Sequence, residues 1–395
     1  MSFSKTYLAM AFTCVRRCKC RPRACFQGLN KASSKRTGSQ RPLLSDNSLL
    51  LASFTVLLEL FFMKKHRLFL LNSAFLILSV VVSLLLAEGI LRLKNASIIN
   101  YDIEMWQYAR KLKKPVENPR IGHDHIANAK ATLQSVELRT NSWGLRGGPV
   151  TEKPEAGKRR ILVLGDSFVL GWGVEENQTL SRRLQSLFEK RGDNVEVLNG
   201  GIGNYNTQRT VEHFLAGLAE LEPTDIIYLA SSASAEMLHD TPGNFFMRNS
   251  QLAVTCWLAY KNFAAHNEGG KQGLIQHYQE LYQANSPGVA IIREELQKLA
   301  DYGRSHNTRI MVAFMPDIRF LTEAATTQMS DRIVEIGRST GMPAMSLLPQ
   351  FQNDKYEDLR IIAGDFHFNA ATHDRIANVL FAALSDGGID ISKTQ

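Results

Sequence analysis

The chain runs to 395 residues, 44% apolar and 21% charged, which excludes a fibrous or wholly disordered protein and leaves room for more than one domain. The formal charge of +8 does not point to nucleic acid. Residues 1–67 hold thirteen Lys and Arg against Asp46 and Glu59, more than the whole surplus, and the remainder is slightly acidic.

From the N-terminus, residues 1–46 are rich in Ser, Arg and Lys, have no apolar periodicity, and are expected to be disordered. Cys14, Cys18, Cys20 and Cys25 fall here, but C-x3-C-x-C-x4-C lacks paired C-x2-C knuckles and a flanking His, so no metal is expected. Cys256 is alone in the body and cannot close a bridge within it. Residues 48–62 are apolar but short, and Glu59 interrupts them. Met63-Lys-Lys-His-Arg67 then precedes Leu68–Ala87, which carries no charge. Twenty residues at 1.5 Å each give roughly 30 Å of helix, enough to cross the hydrocarbon core. The expectation is an uncleaved transmembrane anchor over 68–92. The basic cluster before it sets residues 1–67 in the cytoplasm and the rest outside, periplasmic or extracellular. Met63 also begins the chain as a membrane-targeted N-terminus should, so residues 1–62 are expected to lie upstream of the native start.

Residues 93–157 are expected as a stalk and lead-in, ending in Asn141-Ser-Trp-Gly-Leu-Arg-Gly147, with His123 and His125 solvated in a loop. From residue 158 strands alternate with helices. Arg160–Leu164 reads as a strand buried on both faces, and Leu180, Leu184, Leu187 and Phe188 as one helical face closed by Gly192. Further strands are expected at Val195–Leu198, Asp225–Leu229, Thr308–Met315 and Ala344–Leu348, with helices near 207–220, 289–303 and 373–385. This order predicts a parallel, doubly wound α/β sheet covered on both faces over residues 158–390. Residues 233–288 are an insertion whose Phe245, Phe246, Trp257, Tyr260, Tyr278 and Tyr282 either cover a cleft or pack on one another.

In open α/β sheets ligands sit at the carboxyl ends of the strands. Gly165-Asp-Ser167 follows the first strand and precedes a helix, where backbone N–H groups favour developing negative charge. Serine needs a neighbouring base, and Gly364-Asp365-Phe-His367-Phe-Asn369 supplies one before the last helix: His367 takes the proton and Asp365 fixes the imidazole. The bland alternative is that Ser167 merely caps a helix.

In these blocks the chain resembles the GDSL/SGNH hydrolase family over roughly residues 158–385. The matching stretches, in order, are Asn141–Gly147, Arg160–Phe168, Gly171–Val174, Val197–Asn199 and Asp365–His373. The resemblance implies a three-layer, flavodoxin-like fold and hydrolysis of carboxylic esters through an acyl-serine, with Ser167, Asp365 and His367 as the triad and no metal or cofactor. The Asp–His spacing is one residue shorter than the commonest family form. Where the family has an oxyanion-hole glycine, simple alignment puts Asn204, whose backbone N–H suffices and which tolerates positive φ. Where the family has an oxyanion asparagine, Ala230–Glu236 has none. Asn206, Ser232 or Ser234 supplies that donor, or it is missing. An esterified cell-surface glycan or lipid is the expected substrate. A non-catalytic or acyl-transferring glycan-binding protein is the alternative.

Overall fold

The computed structural model describes residues 46–238, 244–267 and 270–384; the N-terminal stretch expected to be disordered falls outside them, apart from Asp46. The chain divides into two compact units, residues 1–77 and 78–395. Helix α1, Asp46–Ser97, is continuous, so the short apolar run and the expected anchor belong to one element. One helix, Ser53–Ala96, is long and apolar enough to cross a membrane, and Phe69, Phe75, Leu76, Leu85 and Leu86 are all exposed on it.

The second unit is built on five parallel strands: β5 (Arg159–Gly165), β6 (Val195–Gly201), β7 (Asp225–Ala230), β8 (Arg309–Phe314) and β9 (Ala344–Ser346). Their order is β6-β5-β7-β8-β9, a doubly wound arrangement whose direction of winding reverses at β5. Strand side chains alternate between two cores, as a period of two demands. Leu162, Leu164, Ile226, Tyr228, Val312 and Phe314 pack on one face against Val211 and Phe214 of α5 (Thr207–Ala216) and against Ile292 and Leu296 of α9 (Pro287–His306). Ile161, Val163, Ile227, Leu229 and Met311 pack on the other against α4 (Leu180–Arg191) and α12 (Ala370–Ala383). The three-layer expectation holds. One helix was passed over: α10 (Ala324–Ser339), which buries Ala325, Met329, Ile333 and Ile336 between β8 and β9.

Residues 93–157 form no simple stalk. They contain α2 (Tyr101–Lys111), the antiparallel pair β1 (Lys113–Pro115) and β2 (His123–His125), and the hairpin β3 (Lys130–Leu133) and β4 (Val136–Arg139). Tyr108, Leu112, Leu133 and Leu138 bury themselves against Leu170 and Trp172, in the segment after Ser167. His125 is 1% exposed and His123 only partly exposed, so the expectation of solvated loop histidines is wrong; both are held by hydrogen bonds described below. The insertion folds as α6 (Phe245–Asn249), α7 (Gln251–Asn267) and α8 (Gly270–Leu281). Its aromatics divide: Tyr278 and Tyr282 are buried, whereas Phe245, Phe246, Trp257 and Tyr260 are exposed, Phe245 and Phe246 packing edge to face at 5.8 Å.

Candidate active site

Strand β5 ends at Gly165, where no side chain fits: a Cβ would lie 2.5 Å from Val169 Cγ2 and 2.9 Å from Leu229 O. The chain turns there into the one-turn helix α3 (Ser167–Leu170). Asp166, not Ser167, is its N-cap; one carboxylate oxygen accepts from Phe168 N at 2.9 Å and the other from Ser231 Oγ at 2.5 Å. Burial pushes the Asp166 carboxyl above the usual range despite these bonds. Ser167 therefore occupies the first helical position, with its own N–H among the donors that a helix start leaves unused.

The loop before α12 brings His367 to it. His367 Nε2 lies 2.7 Å from Ser167 Oγ, and Nδ1 lies 2.7 Å from Asp365 Oδ1, which also accepts from His367 N at 2.9 Å. Asp365 Oδ2 accepts from Gln134 Nε2 at 2.9 Å. Burial alone would raise the Asp365 carboxyl, but the His367 contact and the Gln134 bond outweigh it and hold it below the usual carboxylate range. Asp365 is thus a buried anion whose hydrogen bonds fix the imidazole. Phe168, Phe366, Tyr101 and Trp172 surround the His367 ring at 4.6–6.3 Å between centroids. Tyr356 donates to Asp365 O at 2.6 Å and steadies the loop.

Gln134 sits at the tip of the β3–β4 hairpin, where it and Ser135 adopt φ of 50° and 65°, the left-handed pair of a two-residue turn. Its N–H donates to Glu104 on α2 at 2.9 Å.

A second group of contacts from the lead-in converges on Gly203, in the loop after β6. The Gly203 N–H donates to Tyr108 Oη at 3.0 Å, and Gly203 O accepts from Lys113 Nζ at 2.6 Å and from His123 Nε2 at 3.1 Å. With Nε2 donating, His123 Nδ1 is left to accept from Arg209 at 3.2 Å. Burial and the neighbouring Lys113 and Arg209 push the His123 imidazole down to about 3, in keeping with that neutral form. Tyr108 Oη lies 2.6 Å from His125 Nε2, and His125 Nδ1 lies 2.7 Å from Gly144 O. One proton arrangement satisfies the whole chain: Gly203 N–H to Tyr108, Tyr108 O–H to His125, and His125 N–H to Gly144. A trans peptide is planar, so gripping Gly203 O aims the next N–H, that of Asn204, the opposite way. Asn204 itself adopts φ 65°, the left-handed region.

Residues 163–375 match the model of the GDSL-like lipase/acylhydrolase family. The chain belongs to that family. Among solved structures, it is similar to the psychrotrophic esterase EstA from Pseudoalteromonas sp., at 15% identity over 56% of this chain and 93% of that one, with a TM-score of 0.36. A lipase/acylhydrolase from Enterococcus faecalis gives 14% identity over 56% and 93%, with a TM-score of 0.38. A two-domain esterase active on acetylated mannans gives 18% over 56% and 47%, with a TM-score of 0.34. No curated protein matches the chain.

Seen as a GDSL-like hydrolase, the chain unites Ser167, His367 and Asp365 and engages the remaining sequence candidates differently. Asn206 caps α5 through Arg209 N at 2.9 Å, and its amide donates to Glu236 O at 2.7 Å. Of the candidate oxyanion donors, Asn206 thus spends its carbonyl oxygen and one of its two amide N–H groups on these contacts. Ser234 Oγ accepts from Ser231 N at 2.9 Å and lies 3.2 Å from Tyr228 Oη, while Ser232 is buried in the turn after β7. Reading from sequence missed Gln134, Tyr108, Lys113 and Ser231 altogether. It singled out Arg146 only as part of a matching block. Buried Arg146 donates to the carbonyls of Leu170, Gly171 and Val174, and so holds the segment after Ser167. Beside the Asp365 loop lies a cavity of about 850 Å³, lined by Arg319, Phe320, Tyr356 and Gly364 and by Lys271 and His277 of α8.

Proposed function

We propose that this protein is a membrane-anchored serine ester hydrolase. The observation that carries the reading is the unbroken relay Ser167–His367–Asp365–Gln134, with links of 2.7, 2.7 and 2.9 Å. His367 takes the Ser167 proton as Oγ attacks the ester carbonyl; Asp365 stabilises the imidazolium that forms. The tetrahedral oxyanion is met by the backbone N–H groups of Ser167 and Asn204. Collapse expels the alcohol, which receives the proton from His367, and leaves an acyl-serine. Water, activated by His367 in turn, then releases the acid.

The substrate we favour is an acylated glycan or lipid at the cell surface. Two features support it: the uncharged run Leu68–Ala87 behind Met63-Lys-Lys-His-Arg67 suits a single span with the hydrolase facing outward, and the cavity beside the triad loop sets the cations Lys271 and Arg319 in a largely apolar wall. A sugar hydroxyl in place of water in the second step would make the protein an acyltransferase. The want of a family-type asparagine in Ala230–Glu236 favours keeping a different reading, a non-catalytic glycan-binding protein on the same fold, because a weak oxyanion hole slows hydrolysis and transfer alike.

The test is a serine-directed fluorophosphonate probe and a short-chain aryl ester, applied to the full chain in detergent. Wild type labels and turns over; Ser167→Ala does neither, His367→Ala is nearly as severe, and Asp365→Asn is milder because it acts through His367. Equal turnover by wild type and Ser167→Ala would sink the mechanism. Product analysis with a sugar acceptor present separates hydrolysis from transfer.

A further inference from the structure

Apolar side chains on the surface of the second unit are unevenly spread. Beyond Ile99, seven large ones are exposed among the described residues, and six of them fall between residues 237 and 263. Phe245 is 73% exposed, Phe246 67%, Tyr260 68%, Phe263 67% and Trp257 48%. Trp257, Tyr260 and Phe263 recur every three residues along α7, which sets them on one side of that helix. Exposed Arg248 and Lys261 lie among them. Single exposed apolar residues are ordinary, but a concentrated aromatic patch marks a contact surface.

What it contacts follows from where it is tied. Glu88 comes directly after the apolar run of α1, and its carboxylate accepts from Ser250 Oγ at 2.9 Å, Gln251 N at 3.0 Å and Leu252 N at 2.8 Å, the start of α7. One turn on, Arg92 donates to Asn249 O at 2.8 Å, the end of α6; a further turn on, Asn95 donates to Gln251 Oε1 at 2.8 Å. Positions 88, 92 and 95 share one helix face, so the α6–α7 junction is gripped within about two turns of the point where the apolar run stops. Trp106 of α2 adds a bond to Met247 O at 2.8 Å.

We propose that α6 and α7 form a second membrane contact, lying in the headgroup region of the bilayer with Phe245, Phe246, Trp257, Tyr260 and Phe263 turned into it. The proposal rests on the reading of α1 as a membrane anchor. Amphipathic aromatic rings favour the boundary between headgroups and acyl chains, and Arg and Lys beside them suit anionic lipid. A single span leaves a domain free to rotate; a second contact fixes which side faces the membrane. Asn262 of α7 and Lys271, Leu274 and His277 of α8 line the cavity next to the triad loop, so the element that meets the bilayer also walls the cleft.

The experiment uses the full chain in vesicles of phosphatidylcholine and phosphatidylglycerol at about three to one, chosen for anionic headgroups. Tryptophan emission is compared between ordinary lipid and lipid brominated high in the acyl chain, for wild type and for Trp257→Phe, a change at a part-exposed site that the fold tolerates. The difference between the two proteins isolates Trp257 from the other three tryptophans. Brominated lipid should lower that difference by about twofold if the ring sits at the interface. Vesicle flotation is read alongside. Protein that floats while its Trp257 signal ignores bromine overturns this proposal and leaves the anchor standing. Protein that does not float overturns both. Floating protein whose Trp257 ignores bromine but whose Cys256 cross-links between copies assigns the face to a second copy and likewise overturns it.

Discussion

Gln134→Leu isolates the fourth member of the relay. It removes the Nε2 donor 2.9 Å from Asp365 Oδ2 and leaves the Ser167, His367 and Asp365 side chains in place. A hydrogen bond to a charged group is worth about 1.5–3 kcal/mol, and one pKa unit about 1.4 kcal/mol, so the Asp365 carboxyl should rise by about one to two units. The sign follows from the folded value, which lies below the usual carboxylate range. Asp365 supports His367 only when ionised, and that support is lost as pH falls; raising its pKa brings the loss to higher pH. The acid limb of kcat/KM for an aryl ester should therefore move up, by at most about one to two units, while kcat/KM at pH 7, where Asp365 stays ionised, changes little. Stability should barely change. The substitution deletes one hydrogen bond to Asp365, but also the buried Gln134 Oε1, which has no partner, so the net cost stays near 1 kcal/mol. A folded variant whose acid limb does not move would refute the reasoning.

Lys113→Met loosens the grip on Gly203 O; kcat should fall by about ten- to a hundredfold with KM little changed, since outright loss of an oxyanion donor costs about 10²–10³. Unaltered kcat removes the link between the lead-in and the oxyanion. Asn206→Ala loses a helix cap and the bond to Glu236 O, so calorimetry should show a lower unfolding midpoint, from a loss of about 1–2 kcal/mol, with kcat changed less than in Lys113→Met. A large kcat loss at unchanged stability would return Asn206 to the oxyanion hole. Burial drives the His125 imidazole down from 6.5 to about 4, below its unfolded value. That neutral histidine contributes stability above pH 6.5 that is lost as pH falls toward 4, and urea midpoints across the window should drop less steeply in His125→Gln than in wild type.

The sheet was legible because its strands are largely apolar runs of three to seven residues between amphipathic helices, and the Ser167–His367–Asp365 candidates because Gly165-Asp-Ser167 and Asp365-Phe-His367 fall where a doubly wound sheet puts its chemistry. Helix α10 was legible too: Ala325, Met329, Ile333 and Ile336 carry a helical period that the reading passed over. Gln134 was not. It meets Asp365 across 231 residues, from a hairpin of four-residue strands whose turn, Gln134-Ser135, has none of the Gly, Asn or Asp that announce such turns. Tyr108, Lys113 and His123 were hidden in the same way, because no local pattern says that three side chains from α2, β1 and β2 will close on one glycine. Asn206 shows the opposite limit: its residue type marked a donor near the site, but not that its carbonyl oxygen would cap α5.

The hairpin and the Gly203 grip also bear on where the hydrolase-like domain begins. The family match starts at residue 163, yet the groups that hold Asp365 and Gly203 come from residues 108–134. The candidate site is thus assembled from two stretches of chain, joined by the largely exposed link 151–157. A boundary drawn by family likeness cuts through the site rather than around it. What remains would keep the nucleophile, but it would lose the first half of β5, the Gln134 bond to Asp365 and the brace on the Gly203 loop. The N-terminal stretch is thus a clamp made of protein, lying before the family match and wired into the Asp365 and Gly203 loops.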